Sequence, residues 1–178
     1  MNSRIKALAI AATLLAAMLP AIGAAVEKGD VAPRFYARDF DGRAVEFPAV
    51  AAGKPAVVVF WATWCPYCKA FMPYLKNIQA DYAAQGVKIV AIDAKEDGQG
   101  DPRAYVNSLG FKPIAIVNGD KIAEDYGIQY IPGVLIVDGK GTVAWRRPWT
   151  DLPAGRQVAE LWNEQVRAAL DDLLKIKR

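Results

Sequence analysis

The sequence contains no histidine and only two cysteines, and these absences exclude several kinds of chemistry. Without His, no Ser–His or Cys–His catalytic pair can form. Two Cys and no His are also too few ligands for a structural zinc site, so we expect neither a bound metal nor a cofactor. A formal net charge of only +3 gives no reason to expect nucleic acid as a partner. Any covalent chemistry is therefore to be sought at the two cysteines.

Internal repeats and low-complexity tracts are also absent from most of the chain. Hydrophobic residues make up 53% and charged residues 23% of the 178 residues. That balance excludes intrinsic disorder and allows a sizeable core to be buried. The length suits one domain, which we place at residues 26–178.

Residues 1–25 differ from the rest and are typical of a secretory signal peptide. Arg4 and Lys6 give a basic start, an apolar run follows from Ala7 to Leu19, and small residues come after Pro20. The apolar run is shorter than the roughly 20 residues of a spanning helix, although an uncleaved N-terminal anchor is the alternative. Export predicts a periplasmic protein in which disulfide chemistry is permitted.

The middle of the chain predicts a strand, a helix and a second strand. Ala56–Trp61 is a continuous β-branched and aromatic run, which is typical of a strand buried on both faces. Apolar residues at spacings of three and four then predict a helix that ends near Gly86. Val87–Ile92 reads as the second strand, so the two strands are expected to be parallel neighbours.

The flanking segments complete an α/β pattern with a central mixed sheet, helices on its faces and an N-terminal β-hairpin. The predicted elements are a hairpin at Asp41-Gly42, a helix from Pro102 to Leu109, strand Ile114–Val117, helix Ile122–Tyr126, strand Val134–Val137, a turn into strand Thr142–Trp145, and a helix from Ala154 to Lys175. The last strand is followed by Arg146, Arg147 and Trp149. We expect these side chains to form a solvated edge of the sheet.

Cys65 and Cys68 lie three residues apart between the buried strand and its helix. A disulfide that closes so small a loop stabilises a fold by only roughly 2 kcal/mol, so a purely structural role is disfavoured. The N-terminus of a helix favours the thiolate at Cys65, which makes it the better nucleophile. Cys68 faces the same side of the helix and can resolve a mixed disulfide formed at Cys65.

The segment from Phe60 to Lys69, FWATWCPYCK, resembles the active-site strand, turn and helix of the thioredoxin superfamily. The wider chain is similar to its exported branch, the TlpA/ResA/DsbE-like thiol-disulfide oxidoreductases. Gly29–Pro33 before an Asp-Gly hairpin, and Met72-Pro73 after the second Cys, match that branch. The resemblance implies a thioredoxin fold from about Gly29 to the C-terminus.

By the same resemblance, Ile131-Pro132 is the cis-proline loop that orients the substrate beside the disulfide. Trp64, Pro66 and Tyr67 belong to the active-site turn.

Val59 stands where many thioredoxins carry a buried Asp that assists proton transfer. Asp93 and Glu96 are the candidates for that acid, although their charged loop favours solvated carboxylates over a catalytic group.

The resemblance implies an enzyme that exchanges disulfides with partner proteins. We interpret it as a reductase, because no His separates the cysteines and a very oxidising potential is therefore not expected. Such proteins keep cytochrome c or copper-site cysteines reduced and receive electrons from a membrane thiol donor. We expect a monomer.

Other functions remain open at this point. An oxidase or isomerase is the alternative within the same class. Two thiolates can also hold Cu(I), but the mature chain offers only Met72 as a further soft ligand. A peroxidase is disfavoured because Thr63 lies two residues before Cys65, whereas peroxiredoxins have Thr three before. A redox-inert chaperone would not need the cysteine pair.

Overall fold

The computed structural model describes residues 25–151, 155 and 157–176. It contains seven strands: β1 Phe35–Arg38, β2 Ala44–Phe47, β3 Ala56–Trp61, β4 Lys88–Asp93, β5 Ile114–Ile116, β6 Gly133–Val137 and β7 Val143–Arg146. The four α-helices are α1 Pro66–Asp81, α2 Pro102–Ser108, α3 Asp120–Asp125 and α4 Val158–Leu174. Two short 3₁₀ helices occupy Ala49–Ala51 and Ala83–Gln85.

Five of the strands form one mixed sheet in the order β5-β4-β3-β6-β7. Strand β3 pairs in parallel with β4 and antiparallel with β6, and all six of its residues are buried. This central position explains its continuous apolar sequence, since both faces of the strand are covered. The predicted α/β class, mixed sheet and N-terminal hairpin are confirmed.

The two faces of β3 serve two different hydrophobic cores. Val57, Val59 and Trp61 contribute to the core beneath α1 and α4, which also holds the cysteine pair. Val58 and Phe60 point to the opposite core, formed with the hairpin and α3. The alternation follows from the period of two along a strand.

Helix α1 carries Pro73 in its interior, where the missing N–H leaves the carbonyl of Lys69 without its helical donor. The hydroxyl of Tyr105 donates to that carbonyl over 3.4 Å. The Tyr105 ring also packs 5.3 Å from the Trp61 ring, centroid to centroid. A side chain from α2 thus compensates for the proline close to the cysteine pair.

The N-terminal segment protects both edges of the sheet. On the β5 side, Phe40 N–H donates to the Ala115 carbonyl over 3.0 Å. On the β7 side, Gly29 N–H donates to the Val143 carbonyl over 2.9 Å, and Val143 N–H donates to Asp30. Paired edges remove the unpaired donors and acceptors that would otherwise invite association.

Helix α4 begins at Val158, four residues later than the sequence pattern predicted. The signal peptide predicted for residues 1–25 lies almost entirely outside the described residues. Within the described ranges, no helix is both long and apolar enough to cross a membrane.

Candidate active site

The cysteine pair lies where the central strand passes into α1. Strand β3 ends at Trp61, and Cys65 is the N-cap residue of α1, in extended backbone conformation. Pro66 occupies the first helical turn, where its missing N–H costs no helical hydrogen bond. The sequence therefore places Cys65 at the positive end of the helix dipole.

Cys65 and Cys68 form a disulfide with a Cα–Cα distance of 5.2 Å. Cys65 Sγ also accepts the backbone N–H of Cys68 at 3.1 Å. The Cys65 residue is 2% exposed, whereas Cys68 is fully buried. Both cysteines are thus buried in the oxidised protein, and Cys65 is the nearer of the two to the surface.

Three exposed residues lie next to the cysteines in sequence: one precedes Cys65 and two separate it from Cys68. Trp64 and Tyr67 are each about half exposed, at 48% and 50%, and Pro66 is exposed as well. Trp64 Nε1 donates to the carbonyl of Lys95 over 2.6 Å, which fixes the indole beside Cys65. Trp61, in contrast, is fully buried in the core, as predicted.

The loop before β6 approaches the disulfide from the other side. The Ile131–Pro132 peptide bond is cis, and the carbonyl oxygen of Ile131 lies 3.8 Å from Cys65 Sγ. Phe47–Pro48 is a second cis bond, which the sequence did not indicate. The β6 loop thus brings residues 66 positions away in sequence into contact with the reactive sulfur.

Sheet direction explains why these segments meet. The carboxyl ends of β3 and β4 lie at one end of the sheet because the strands are parallel. Strand β6 is antiparallel to β3, so its amino end, with Pro132, lies at the same end. Strand β7 reverses once more, which brings its carboxyl end and Arg147 there too.

Asp93 is the last residue of β4 and is only 6% exposed. It pairs in register with Trp61, so its side chain lies on the sheet face that carries the disulfide. Burial, together with the carboxylates of Glu96 and Asp120, raises the pKa of Asp93 to about 7. The interpretation of Asp93 as a solvated loop carboxylate is wrong, because the strand extends one residue further than its apolar pattern.

Glu96 is half-buried and holds the turn that precedes Cys65. Its Oε1 accepts the backbone N–H of Thr63, and its Oε2 accepts the Thr63 hydroxyl over 2.6 Å. The solvated interpretation is therefore wrong for Glu96 also. The next residues of the loop, from Asp97 to Gly100, are exposed as expected.

Arg147 is the residue near the disulfide whose position the sequence interpretation missed. It is 4% exposed rather than solvated, whereas Trp149 is 70% exposed as predicted. The guanidinium donates through Nε and Nη2 to the carbonyl of Pro132, at 3.1 and 2.6 Å. It also lies over the rings of Tyr130 and Trp162, 4.9 and 4.5 Å from their centroids.

A weak signal for this burial exists in the sequence. Neighbouring residues at a strand end point to opposite faces, so Arg146 and Arg147 cannot both face solvent. Arg146 is itself half-buried and donates to the carbonyls of Val26, Tyr126 and Gly127. The expectation of a solvated edge is wrong for both arginines.

Comparison with known proteins agrees with this geometry. The AhpC/TSA family matches residues 28–146. The thiol-disulfide oxidoreductase ResA of Bacillus thuringiensis (strain Al Hakam) is 32% identical over 148 residues, which cover 83% of this chain and 76% of ResA. The thiol:disulfide interchange protein DsbE of Escherichia coli (strain K12) is 28% identical over 143 residues, covering 78% of this chain and 71% of DsbE.

A solved structure gives the same result for the fold. The crystal structure of a putative thiol:disulfide interchange protein DsbE from Chlorobium tepidum superposes with a TM-score of 0.67 at 26% identity, covering 82% of this chain and 99% of that one. The chain therefore belongs to the AhpC/TSA family, with a thioredoxin-like fold, and within it to the thiol-disulfide oxidoreductases of the ResA/DsbE type.

Proposed function

We propose that this protein is an exported reductase of protein disulfides in which Cys65 attacks and Cys68 resolves. The observation that carries the proposal is the position of the Cys65–Cys68 disulfide at the N-terminus of α1, with Cys65 as the less buried cysteine and the Ile131 carbonyl beside it. A disulfide of low structural value at the positive end of a helix dipole is suited to exchange.

In the first step, the Cys65 thiolate attacks one sulfur of a partner disulfide. A Cys65–partner disulfide forms, the partner's own S–S bond breaks, and its second sulfur leaves as a thiolate. The Cys68 N–H that now points at Cys65 Sγ stabilises the attacking thiolate. Trp64 and Tyr67 offer the partner an apolar surface around the reaction.

In the second step, Cys68 loses its proton and attacks Cys65 Sγ. The Cys65–Cys68 disulfide forms, the partner's remaining thiolate leaves, and two electrons have passed to the partner. Cys68 is buried, so its proton needs an internal acceptor. We assign that role to Asp93, which shares the sheet face of the disulfide and has a pKa of about 7, with Glu96 beside it.

The partner polypeptide is held by the loop at Ile131 and Pro132. The Ile131 backbone lies next to Cys65 Sγ, so an extended partner segment that crosses the sulfur can pair with it. This role rests on the resemblance to thioredoxins as well as on the distance.

The direction and the compartment are further parts of the proposal. A basic start and apolar run in residues 1–25 support export to a periplasm, by a signal peptide or an anchor. A membrane thiol donor would then supply electrons, and cysteines of cytochrome c or of copper sites are the expected substrates. We expect the protein to act as a monomer.

The equilibrium reduction potential of the Cys65–Cys68 pair tests the direction. The full chain is equilibrated in defined thiol/disulfide buffers, and its free thiols are alkylated and counted by mass. We expect a potential near or below about −230 mV, in the range of reducing members of the fold. A value near about −120 mV would establish an oxidant instead.

Alkylation rates test the assignment of the two cysteines. In the reduced protein, Cys65 should react with iodoacetamide much faster than Cys68 at pH 7, because it is the less buried of the two and caps the N-terminus of α1. Equal rates would remove the distinction between attacking and resolving thiol. Cys65→Ser should abolish exchange, whereas Cys68→Ser should accumulate mixed disulfides.

A further inference from the structure

A pocket of about 230 Å³ opens beside the disulfide, on the side of α4. Two pairs of packed rings line it. Tyr130 and Trp149 meet edge to face at 5.2 Å, and Tyr67 and Trp162 do so at 6.3 Å. Arg147 lies over one ring of each pair, and Ile131 borders the pocket as well.

The pocket is continuous with the reacting atoms. Ile131, whose carbonyl lies 3.8 Å from Cys65 Sγ, and Tyr67, between the cysteines, are both part of its lining. A polypeptide advances by at most roughly 3.6 Å per residue. A side chain within about two residues of the partner's cysteine therefore reaches the pocket while its sulfur is bonded to Cys65.

The exposure of the rings indicates that a protein surface covers them. In the described part of the chain, five large apolar residues are conspicuously exposed, and Tyr67 and Trp149 are two of them, at 50% and 70%. Exposed aromatic rings next to a reactive centre are typical of an interface, where they bury area at low entropic cost. At 230 Å³ the pocket is smaller than the sites that hold drug-sized ligands, and it suits one large side chain.

The charge of the pocket limits which side chain fits. In the described residues no carboxylate pairs with Arg147, so its positive charge is uncompensated and disfavours Lys or Arg. Its Nε, Nη1 and Nη2 atoms already donate to the carbonyls of Pro132 and Pro148 and to the Thr150 hydroxyl. An acidic side chain would thus lose water without gaining a free pair of donors.

We propose that this pocket is a specificity site that binds an aromatic side chain within two residues of the partner's reactive cysteine. An aromatic ring gains edge-to-face contacts with the exposed rings, beyond the area that an aliphatic side chain would bury. The inference rests on the proposed disulfide exchange, because the pocket is defined by its distance from Cys65.

The test compares the rates at which the reduced full chain reduces small disulfides. The probes are symmetrical disulfides of acetyl-Gly-X-Cys-Gly-amide and acetyl-Gly-Cys-X-Gly-amide, with Phe, Leu, Glu or Lys at X. Hydroxyethyl disulfide, which is too small to reach the pocket, is the reference. We expect Phe to exceed Leu, and Phe to exceed Lys by about tenfold, in at least one of the two peptides.

Two variants test whether the preference for Phe over Lys depends on the pocket. Trp149→Ala should reduce the ratio of the Phe rate to the Lys rate about threefold or more. Tyr36→Ala removes an equally exposed ring from β1, which is not part of the lining, and should leave that ratio unchanged. The ratio is measured within one protein sample, so it does not depend on how much of the variant folds.

Each remaining outcome contradicts the inference in a distinguishable way. Equal rates for all four side chains, with rapid reduction of hydroxyethyl disulfide, overturn the pocket alone. The fastest rate with Glu identifies an anion site and overturns the aromatic assignment. No reduction of any probe overturns the proposed exchange and the pocket with it.

Discussion

The two sides of the disulfide each bury an ionisable group, and the chain handles the two groups differently. On the β4 side, Asp93 is buried beside Glu96, and its raised pKa allows it to become neutral near pH 7. On the β7 side, Arg147 is buried against Tyr130 and Trp162 and cannot become neutral, since burial lowers its pKa from a very high ordinary value. A buried acid can escape its charge by binding a proton, whereas a buried guanidinium must be satisfied by carbonyls and rings.

The contrast also separates two kinds of role. The acid side offers a group whose protonation changes in the range where thiols exchange protons, which suits chemistry. The arginine side offers a fixed cation that holds the Pro132 carbonyl, which suits positioning. If this distinction is correct, variants on the two sides should differ in their dependence on pH.

The largest effect is expected on the arginine side. Arg147→Leu should lower the free energy of unfolding of the oxidised protein by about 3 kcal/mol, because the buried carbonyl of Pro132 loses both of its donors from the charged guanidinium. The loss should be nearly the same at pH 5 and pH 8. Urea unfolding monitored by tryptophan fluorescence measures it.

Arg103→Leu is the control, because Arg103 is largely exposed and makes only weak contacts: its Nη1 lies 3.8 Å from Asp41 Oδ1, and its guanidinium lies 5.7 Å from the centroid of the Phe40 ring. It should change stability by less than about 1 kcal/mol. If Arg147→Leu is as stable as the unmodified protein or more stable, the free-energy cost of burying the cation is at least as large as the stabilisation from its hydrogen bonds.

A smaller effect with the opposite sign is expected on the acid side. The pKa of Asp93 is higher in the folded state than its ordinary value of 3.8, so the stability it contributes is present at low pH and is lost as the pH rises through about 7. Asp93→Asn remains neutral and should therefore stabilise the oxidised protein by about 2 kcal/mol at pH 8. The gain should be smaller at pH 5 and should approach zero only near pH 3.8, because between that pH and about 7 the folded protein holds a proton that the unfolded chain has released.

Urea unfolding at both pH values measures this difference. Asp97→Asn changes an exposed carboxylate of the same loop and should leave the pH dependence as it is. A gain for Asp93→Asn that does not vary with pH would contradict the raised pKa. It would also remove the reason for assigning proton transfer to this residue.

The smallest effect concerns the turn that Glu96 holds. Thr63→Val keeps the shape of the side chain but removes the hydroxyl that donates to Glu96 Oε2, and it should cost about 1 kcal/mol. The backbone bond from Thr63 to Oε1 remains. Thr142→Val, at the opposite end of the sheet, is the matched control. Equal losses in the two variants would show that the hydroxyl bond to Glu96 contributes nothing specific.

Local patterns were sufficient to predict most elements of the fold. The six-residue run from Ala56 predicted the central strand, and Asp101-Pro102 predicted the start of α2, where Asp101 Oδ1 accepts the N–H of Ala104 over 2.9 Å. These features depend on burial and capping within a few residues, so the sequence carries them directly. The predicted start of α4 was four residues too early, because Gly155 has a φ of 78° and so lies outside the right-handed helix.

The candidate site was only partly predictable. The spacing of Cys65 and Cys68 at a strand–helix junction identified the reactive pair without any tertiary contact. The burial of Asp93 was missed because one polar residue at the end of an apolar run looks like the start of a loop. Arg147 was missed because the only local signal, its alternation with Arg146 at a strand end, is weak and does not identify the rings that cover it.

The sequence by itself determined the chemistry: two thiols three residues apart at a helix N-terminus, and no histidine to offer another mechanism. Only the tertiary structure decided the surroundings of those thiols. The order β5-β4-β3-β6-β7 brings Asp93 to one side of the disulfide, and Pro132 and Arg147 to the other. The physical reason is that strand direction and order, which local sequence does not encode, determine which strand ends meet. Burial at that meeting point then raises the pKa of Asp93, whereas Arg147 keeps its charge and is held by carbonyls and rings.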